Sequence, residues 1–385
     1  MGTLGARRPA LLVTAAVVLA GLLTATPVPA AERSLAGPLR LRAVGDGPVR
    51  DLDVALAPRL DAAGRTGALT TSPFSMLGAT WTDREVEARV AVRTRGSSGW
   101  RAWRELPVLH DGPDAGTEAD AVTSDVGATE AAWVGRSTGV QVRVDGRAPA
   151  GLRLVLIDPG TTPRDAAPAA GSAHRRTTSA RAAGAPAPRI LRRRDWGADE
   201  SWRDRRMRYN RTIKQVHVHH TASGNGYSRA DVPALLRGMY RYHTQSLGWA
   251  DLGYNFLVDR YGRTWTGRAG GRARPVRGAH TLGFNHTSTG IAVIGNFERK
   301  APPERVVKAV VHLAAWKLDR HGRNPAGRIT VTSQGSDRFA PGRRVTLPVV
   351  DGHRDTNETA CPGRHLYAKL PEIRKRARAR VAHFG

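Results

Sequence analysis

The residues of this chain best suited to chemistry lie in its C-terminal half. His217, His219 and His220 stand together in Gln215-Val216-His217-Val218-His219-His220. His353 follows in Gly352-His353-Arg354-Asp355, and Cys361 in Ala360-Cys361-Pro362-Gly363. Cys361 is the one cysteine of 385 residues. Zinc accepts imidazole and thiolate, and a catalytic zinc site takes three protein ligands and keeps a fourth position open. Two histidines and this cysteine supply such a set. Spacing leaves open which histidine of the cluster takes part. In a strand His219 and His220 face opposite ways, whereas His217 shares a face with His219 and rivals it.

Such ligands need a rigid scaffold, and the surrounding pattern supplies one. Residues 213–220 read as a strand ending at Thr221-Ala222-Ser223-Gly224. Ser228 is placed to cap a helix, with Asp231 in its first turn and Leu235, Leu236, Met239, Tyr240 and His243 at helical spacing. Strands follow at 253–259 and 263–267, joined at Tyr261-Gly262, and at 290–296. Pro302 or Pro303 opens a helix carrying Val306, Val307, Val310, Leu313, Ala314 and Leu318. Residues 347–351 read as a last strand and 364–382 as a basic terminal helix. Strands mixed with helices indicate an α/β domain over 189–385. His243 reads as a satisfied helix histidine, Arg354 and Asp355 as shapers of the ligand loop, and Gly253 and Gly262 as turn or close-approach glycines.

Ahead of this domain the pattern changes. Over 32–160 apolar residues alternate with polar ones, as in Val86, Ala88, Val90 and Val92, in Val140, Val142 and Val144, and in Leu152, Leu154 and Leu156. Gly and Asp punctuate the short runs, which suggests an all-β sandwich-like domain. Trp81, Trp100, Trp103 and Trp133 suit a sugar-stacking face, although tryptophans of such a domain more often fill its core. Residues 161–188 are Ala, Pro, Thr, Ser and Arg, which bury no core and read as a disordered linker.

The N-terminus bears on compartment. Arg7 and Arg8 precede an uncharged apolar run from Leu11 to Leu23, then small residues to Ala30 and Ala31. This reads as a secretory signal over 1–31, which leaves no stable membrane span once it is cleaved. A lone cysteine in an exported chain is buried, reactive or bound to metal. The formal net charge is +27, mostly from arginine. A charge that large favours polyanions. Export makes an anionic wall the better partner and argues against a specific nucleic acid.

Four ordered stretches resemble one family. His217-Val218-His219-His220-Thr221-Ala222 is similar to the opening motif of peptidoglycan recognition proteins and type 2 N-acetylmuramoyl-L-alanine amidases. Gly248-Trp249-Ala250-Asp251-Leu252-Gly253-Tyr254-Asn255-Phe256 resembles the second, and Gly278-Ala279-His280 with Gly283-Phe284-Asn285 and Gly290–Phe297 the third. The fourth runs from Gly352-His353-Arg354-Asp355 to Thr359-Ala360-Cys361-Pro362-Gly363. The resemblance covers about 190–370 and leaves the N-terminal half outside.

The resemblance implies a zinc amidase domain with a mixed central sheet flanked by helices. It implies Zn2+ held by His219, His353 and Cys361, with Tyr254 and Thr359 as catalytic residues and His280 and Asn285 lining a substrate groove. Thr359 stands where phage-type members carry Lys and the recognition-protein branch commonly carries Thr. His217 departs from the apolar residue usual at its place. The implied reaction cleaves the amide between the muramyl lactyl group and L-alanine of peptidoglycan. The expected protein is a secreted, wall-associated monomer, with anionic wall polymers as further partners. Two other readings are a peptidoglycan-binding module without catalysis and a basic wall protein held by charge alone.

Overall fold

A computed structural model describes residues 38–114, 125–166 and 184–385. The signal reading over 1–31 and the linker residues 167–183 lie outside the described residues.

The first half forms one hydrogen-bonded sheet of nine strands. Two long strands, Leu69–Trp81 and Ala132–Asp145, run antiparallel at its centre and carry it from edge to edge. Their pairing shifts register around Phe74, so the sheet bends there. One face encloses Phe74, Leu77, Val90, Val92, Val140, Val142, Leu154 and Leu156. The alternation of valines and leucines is therefore real, with one correction. Val86 is exposed and precedes the strand Arg89–Gly96. The Asp83 carboxylate accepts from Glu85 N–H, and Val86 N–H donates to Asp83 O, which closes a turn instead. The four tryptophans divide: Trp81 and Trp133 are buried, while Trp100 is exposed and Trp103 half-buried on either side of the Arg93 guanidinium.

The second half is built on a six-stranded mixed sheet. Its order is Ile190–Leu191, Thr264–Thr266, Phe256–Val258, Ser288–Val293, Gln215–His220 and Val350–Gly352. All pairings are parallel except that between Phe256–Val258 and Thr264–Thr266. Period-two alternation sorts the side chains. Val216, Val218, Phe256, Val258, Ile291 and Val293 face the helices Glu304–Asp319 and Leu370–Phe384. Leu257 and Ala292 face the helix Asp231–Arg241. Ser228 and Asp231 exchange hydrogen bonds, Oγ accepting from Asp231 N–H and the carboxylate from Ser228 N–H, as a capping box does. Gly262 turns the hairpin at φ +77°, and a Cβ at Gly253 would lie 2.5 Å from Ala279 O.

Two sequence expectations are corrected here. Residues 347–351 are not one strand. Leu347 belongs to the strand Arg344–Pro348, which pairs with Arg328–Thr332 in a separate hairpin against Phe284. Val350–Gly352 alone joins the central sheet. The terminal helix is also broken, into Arg364–Tyr367 and Leu370–Phe384, with Pro371 opening the second piece.

The halves share a core. Along the strand Arg153–Asp158, Leu154 and Leu156 enter the β-domain core, while Val155 and Ile157 join a cluster with Met76, Trp133, Leu236, Met239 and Tyr242. The Tyr242 hydroxyl lies 3.0 Å from the carbonyls of both Ala79 and Thr129. The described ends of the 161–188 segment are anchored rather than loose. Pro163–Ala166 is a helical turn whose Asp165 pairs with Arg237, and Ala185 N–H donates to Asp319.

Candidate metal centre

His219 lies near the end of the strand Gln215–His220, and His353 directly follows its parallel neighbour Val350–Gly352. The register pairs Val218 with Gly352, which sets the two imidazoles side by side, ring centroids 4.7 Å apart. Cys361 returns to them through a loop fixed by Arg354 and Asp355. Arg354 N–H donates to Cys361 O, and its guanidinium reaches the carbonyls of Ala360 and Cys361. The Asp355 carboxylate accepts from Gly352 N–H and the Tyr367 hydroxyl. One ligand atom each from His219, His353 and Cys361 falls within a 4.8 Å cluster, the one such group found among the described residues.

The neighbours differ among the three histidines. His217 Nδ1 lies 2.5 Å from Asp351 Oδ1, so that imidazole is engaged behind the cluster. His220 faces the opposite side, where its Nδ1 accepts from Phe297 N–H. His219 Nε2 contacts His280 Nδ1 at 3.1 Å, leaving Nδ1 toward Cys361 Sγ at 3.8 Å. A fixed partner on the far nitrogen is how a ligating imidazole is held in orientation. The place of His280 depends on Gly290, where a Cβ would stand 2.5 Å from the His280 ring.

Asn285 is fully buried. Its Oδ1 accepts from His280 and Thr281 N–H, so it organises the loop beside the cluster. Tyr254 places its ring 5.3 Å from that of His219. Thr359 Oγ1 accepts from Cys361 N–H at 3.2 Å, and the side chain borders an open polar depression with Arg338, Arg354 and Tyr367. His243 is satisfied as expected, its Nδ1 accepting from Gly253 N–H.

One group in the site comes from the other half and was missed in the sequence. Asp111, on the loop after the strand Arg104–Leu106, enters between the ligands. Its Oδ1 lies 3.2 Å from His353 Nε2 and 3.7 Å from His219 Nδ1, while its Oδ2 accepts from the Tyr254 hydroxyl at 2.6 Å. Asp114 Oδ1 accepts from Asn285 Nδ2 and Gly283 N–H. The only sequence signal was the turn-like Asp111-Gly112-Pro113-Asp114, which says nothing about a site over a hundred residues away.

The electrostatics suit a cation. Burial drives Asp111 and Cys361 well above their usual ranges. Burial, aided by neighbouring imidazoles, drives His219 well down, and burial takes His353 to about 3. Neutral imidazole is the ligating form, and a divalent ion would supply the charge that stabilises thiolate and carboxylate together. His353 Nε2 and Asp111 Oδ1 are buried without a hydrogen-bond partner. A tetrahedral ion with bonds of about 2.0–2.1 Å separates its N and O ligands by about 3.3 Å, close to the spacing these two atoms adopt. The donor set fits zinc.

Residues 209–364 match the family model described as N-acetylmuramoyl-L-alanine amidase. Peptidoglycan-recognition protein SA of Drosophila melanogaster is 36% identical over 156 residues, covering 40% of this chain and 73% of that protein. The chain belongs to the peptidoglycan recognition protein and type 2 amidase family. Within that family it is also 28% identical to peptidoglycan-recognition protein LB of Drosophila melanogaster, over 49% of this chain and 69% of the relative. Among solved structures, Drosophila PGRP-LB matches at 28% identity over 47% of this chain and 92% of that chain, TM-score 0.37. A peptidoglycan recognition protein-LE structure in complex with tracheal cytotoxin, a monomeric diaminopimelic acid-type peptidoglycan, matches at 28% identity, 48% and 92% coverage, TM-score 0.37. Residues 30–181, outside the family domain, match the model described as Rv3811 N-terminal galactose-binding domain-like. No described helix is long and apolar enough to cross a membrane.

Proposed function

We propose that the domain spanning about 189–385 is a zinc-dependent N-acetylmuramoyl-L-alanine amidase. It cleaves the amide between the lactyl group of N-acetylmuramic acid and L-alanine in peptidoglycan. The observation that carries this reading is the convergence of His219, His353 and Cys361, with the Tyr254 hydroxyl beside them. Members that only recognise peptidoglycan need no such ligand set.

His219, His353 and Cys361 would hold the ion. The chemistry zinc supplies in such a site is polarisation of the scissile carbonyl and acidification of water. The protein's own groups do the rest. His280 fixes the His219 ring, and Arg354 and Asp355 fix the loop that carries Cys361. Burial, with Asp111 next, pushes the Tyr254 hydroxyl well up, so it stays protonated and can donate to an oxyanion. Thr359 sets the Cys361 backbone, which leaves its O–H to donate to the substrate. His280 and Asn285 form the wall of the groove. The arginine-rich surface concentrates the enzyme on an anionic wall, and export through the 1–31 segment delivers it there. The β domain over 32–160 packs against this domain through the shared core.

The test is zinc content of the purified protein, together with mass spectrometry of muropeptides after digestion of purified wall. The expected result is one zinc per chain and stem peptides released at L-alanine. Cys361→Ser should abolish release while circular dichroism stays unchanged. Normal turnover by that variant, or wall binding that survives chelation with no hydrolysis by the wild type, refutes the assignment.

A further inference from the structure

We propose that Asp111 is a fourth metal ligand delivered by the N-terminal β domain, and that the loop from His110 to Asp114 is an internal occupant that keeps the amidase groove closed. The inference rests on the amidase reading above.

The loop is built as a plug. At its base Leu109 N–H donates to Ala128 O and Glu130 N–H to Pro107 O, which ties it to the β domain. At its tip several polar groups meet the other half. His110 Nδ1 lies 3.1 Å from Asp337 Oδ2. Gly112 O and Asp114 Oδ1 both accept from Asn285 Nδ2, at 2.8 and 2.9 Å. Gly283 N–H donates to Asp114 at 2.8 Å. Asp111 through Asp114 are buried, although they lie on a loop between strands. Loop residues are normally solvated, and burial of four in a row, two of them aspartates, needs partners such as these.

The Asp111 carboxylate fills two roles that the proposed reaction needs free. One oxygen stands 3.7 and 3.2 Å from the ring nitrogens of His219 and His353, within reach of the position that an open catalytic site leaves for water or substrate. That oxygen is buried and lacks a hydrogen-bond partner, which a bond to the ion would supply. The other accepts the hydrogen bond of the Tyr254 hydroxyl at 2.6 Å, the donor assigned to the oxyanion. Asn285, assigned to the groove wall, is spent on the same loop. Tyr254, His280 and Asn285 are 1%, 0% and 0% exposed, so substrate reaches none of them while the loop is in place. Displacing the loop, by partial undocking of the β domain on the wall or by a cut within it, opens the groove.

The experiment uses the full chain with either zinc or cobalt(II) and three proteins: wild type, Asp111→Ala and Asp114→Ala. Asp114→Ala releases the loop without removing a ligand atom. Hydrolysis of soluble muropeptide should rise by about tenfold or more in both variants, because activity scales with the fraction of molecules whose groove is open. The visible ligand-field bands of the cobalt form should change in Asp111→Ala while the sulfur-to-cobalt charge-transfer band through Cys361 is kept. Added acetohydroxamate, a small chelating anion, should perturb the spectra of both variants at lower concentration than that of the wild type. If metal binds and hydrolysis is present, yet spectra and rates match across all three proteins, the plug is refuted and the amidase reading stands. Loss of hydrolysis in Asp111→Ala with metal retained also refutes it, making Asp111 a catalytic residue. A wild type with neither metal nor hydrolysis overturns both proposals.

Discussion

Arg237 joins the two halves, and its replacement by leucine should loosen their union. The side chain is 1% exposed on the helix Asp231–Arg241. Its guanidinium donates to both Asp165 oxygens, at 2.9 and 2.6 Å, and to the carbonyls of Pro159, Gly160 and Trp196 at 3.2, 2.9 and 3.0 Å. Asp165 is itself nearly buried, with 8% of its side chain exposed. Removing one partner of a buried pair strands the other, a loss of about 3–5 kcal/mol. Leucine keeps much of the apolar stem volume, so most of that loss reflects the unpaired carboxylate. The double variant Arg237→Leu with Asp165→Leu should therefore recover roughly 1–3 kcal/mol relative to the sum of the single changes.

Guanidinium unfolding followed by tryptophan fluorescence measures this, with Trp133 and Trp196 in the shared cluster as reporters. Burial raises the Asp165 carboxyl, but Arg237 outweighs it and holds the group below its usual range. A depressed carboxyl contributes stability above its unfolded pKa and loses it as pH falls, so the effect of Arg237→Leu should shrink below about pH 4. A loss under about 1 kcal/mol at neutral pH would place the pair with ordinary surface pairs and refute the reasoning. A shared core with a buried ionic clasp should also unfold in one transition, and two separated transitions in the wild type would contradict it.

Two further outcomes follow from the same geometry. Gly290→Ala puts a methyl group 2.5 Å from the His280 ring, so it should displace His280, lower zinc affinity and cut hydrolysis without unfolding the sheet, as read by metal titration and circular dichroism. Burial lowers Lys317 from 10.5 to about 7, where its ammonium donates to the carbonyls of Arg272 and Arg274. The folded pKa lies below the unfolded one, so the unfolded chain binds more protons between them and stability rises with pH through that window. The stability of the wild type relative to Lys317→Met should climb between pH 7 and 9 by up to about 1.4 kcal/mol per pH unit, and a flat difference counts against the assignment.

The central sheet was largely legible from its runs of strand-forming residues, and the His219, His353 and Cys361 cluster was reached through the family resemblance of the motifs that carry it. Ser228, Asp231 and Gly262 act through neighbours a few residues away or through their own backbone, which sequence pattern can register. The hairpin of Arg328–Thr332 and Arg344–Pro348 escaped because only Val331 and Leu347 on its strands are buried, so no alternation stands out. The break at Lys369 hid within a run of basic residues. Spacing could not choose between His219 and His217, and only the resemblance did; the Asp351 that engages His217 is a partner set by strand register. Asp111 was beyond reach for the same reason on a larger scale. Its place beside His219, His353 and Tyr254 exists only once the two domains are docked, and nothing near it in the chain encodes that docking.

The strand Arg153–Asp158 sends alternate side chains into two different cores, and this constrains how the gene can be divided. A cut at the apparent linker severs no strand, yet it bares Met76, Val155 and Ile157 on one product and Leu236, Met239 and Tyr242 on the other. Each half would present a sticky apolar face. The heritable unit is therefore the pair, and the amidase-family half cannot be traded into another protein as a free cassette without new surface residues. An insertion in the β domain that tilts this one strand would also shift the loop above the metal ligands. Variation far from the His219, His353 and Cys361 cluster thus bears on what covers it, even where every residue of the cluster is left alone.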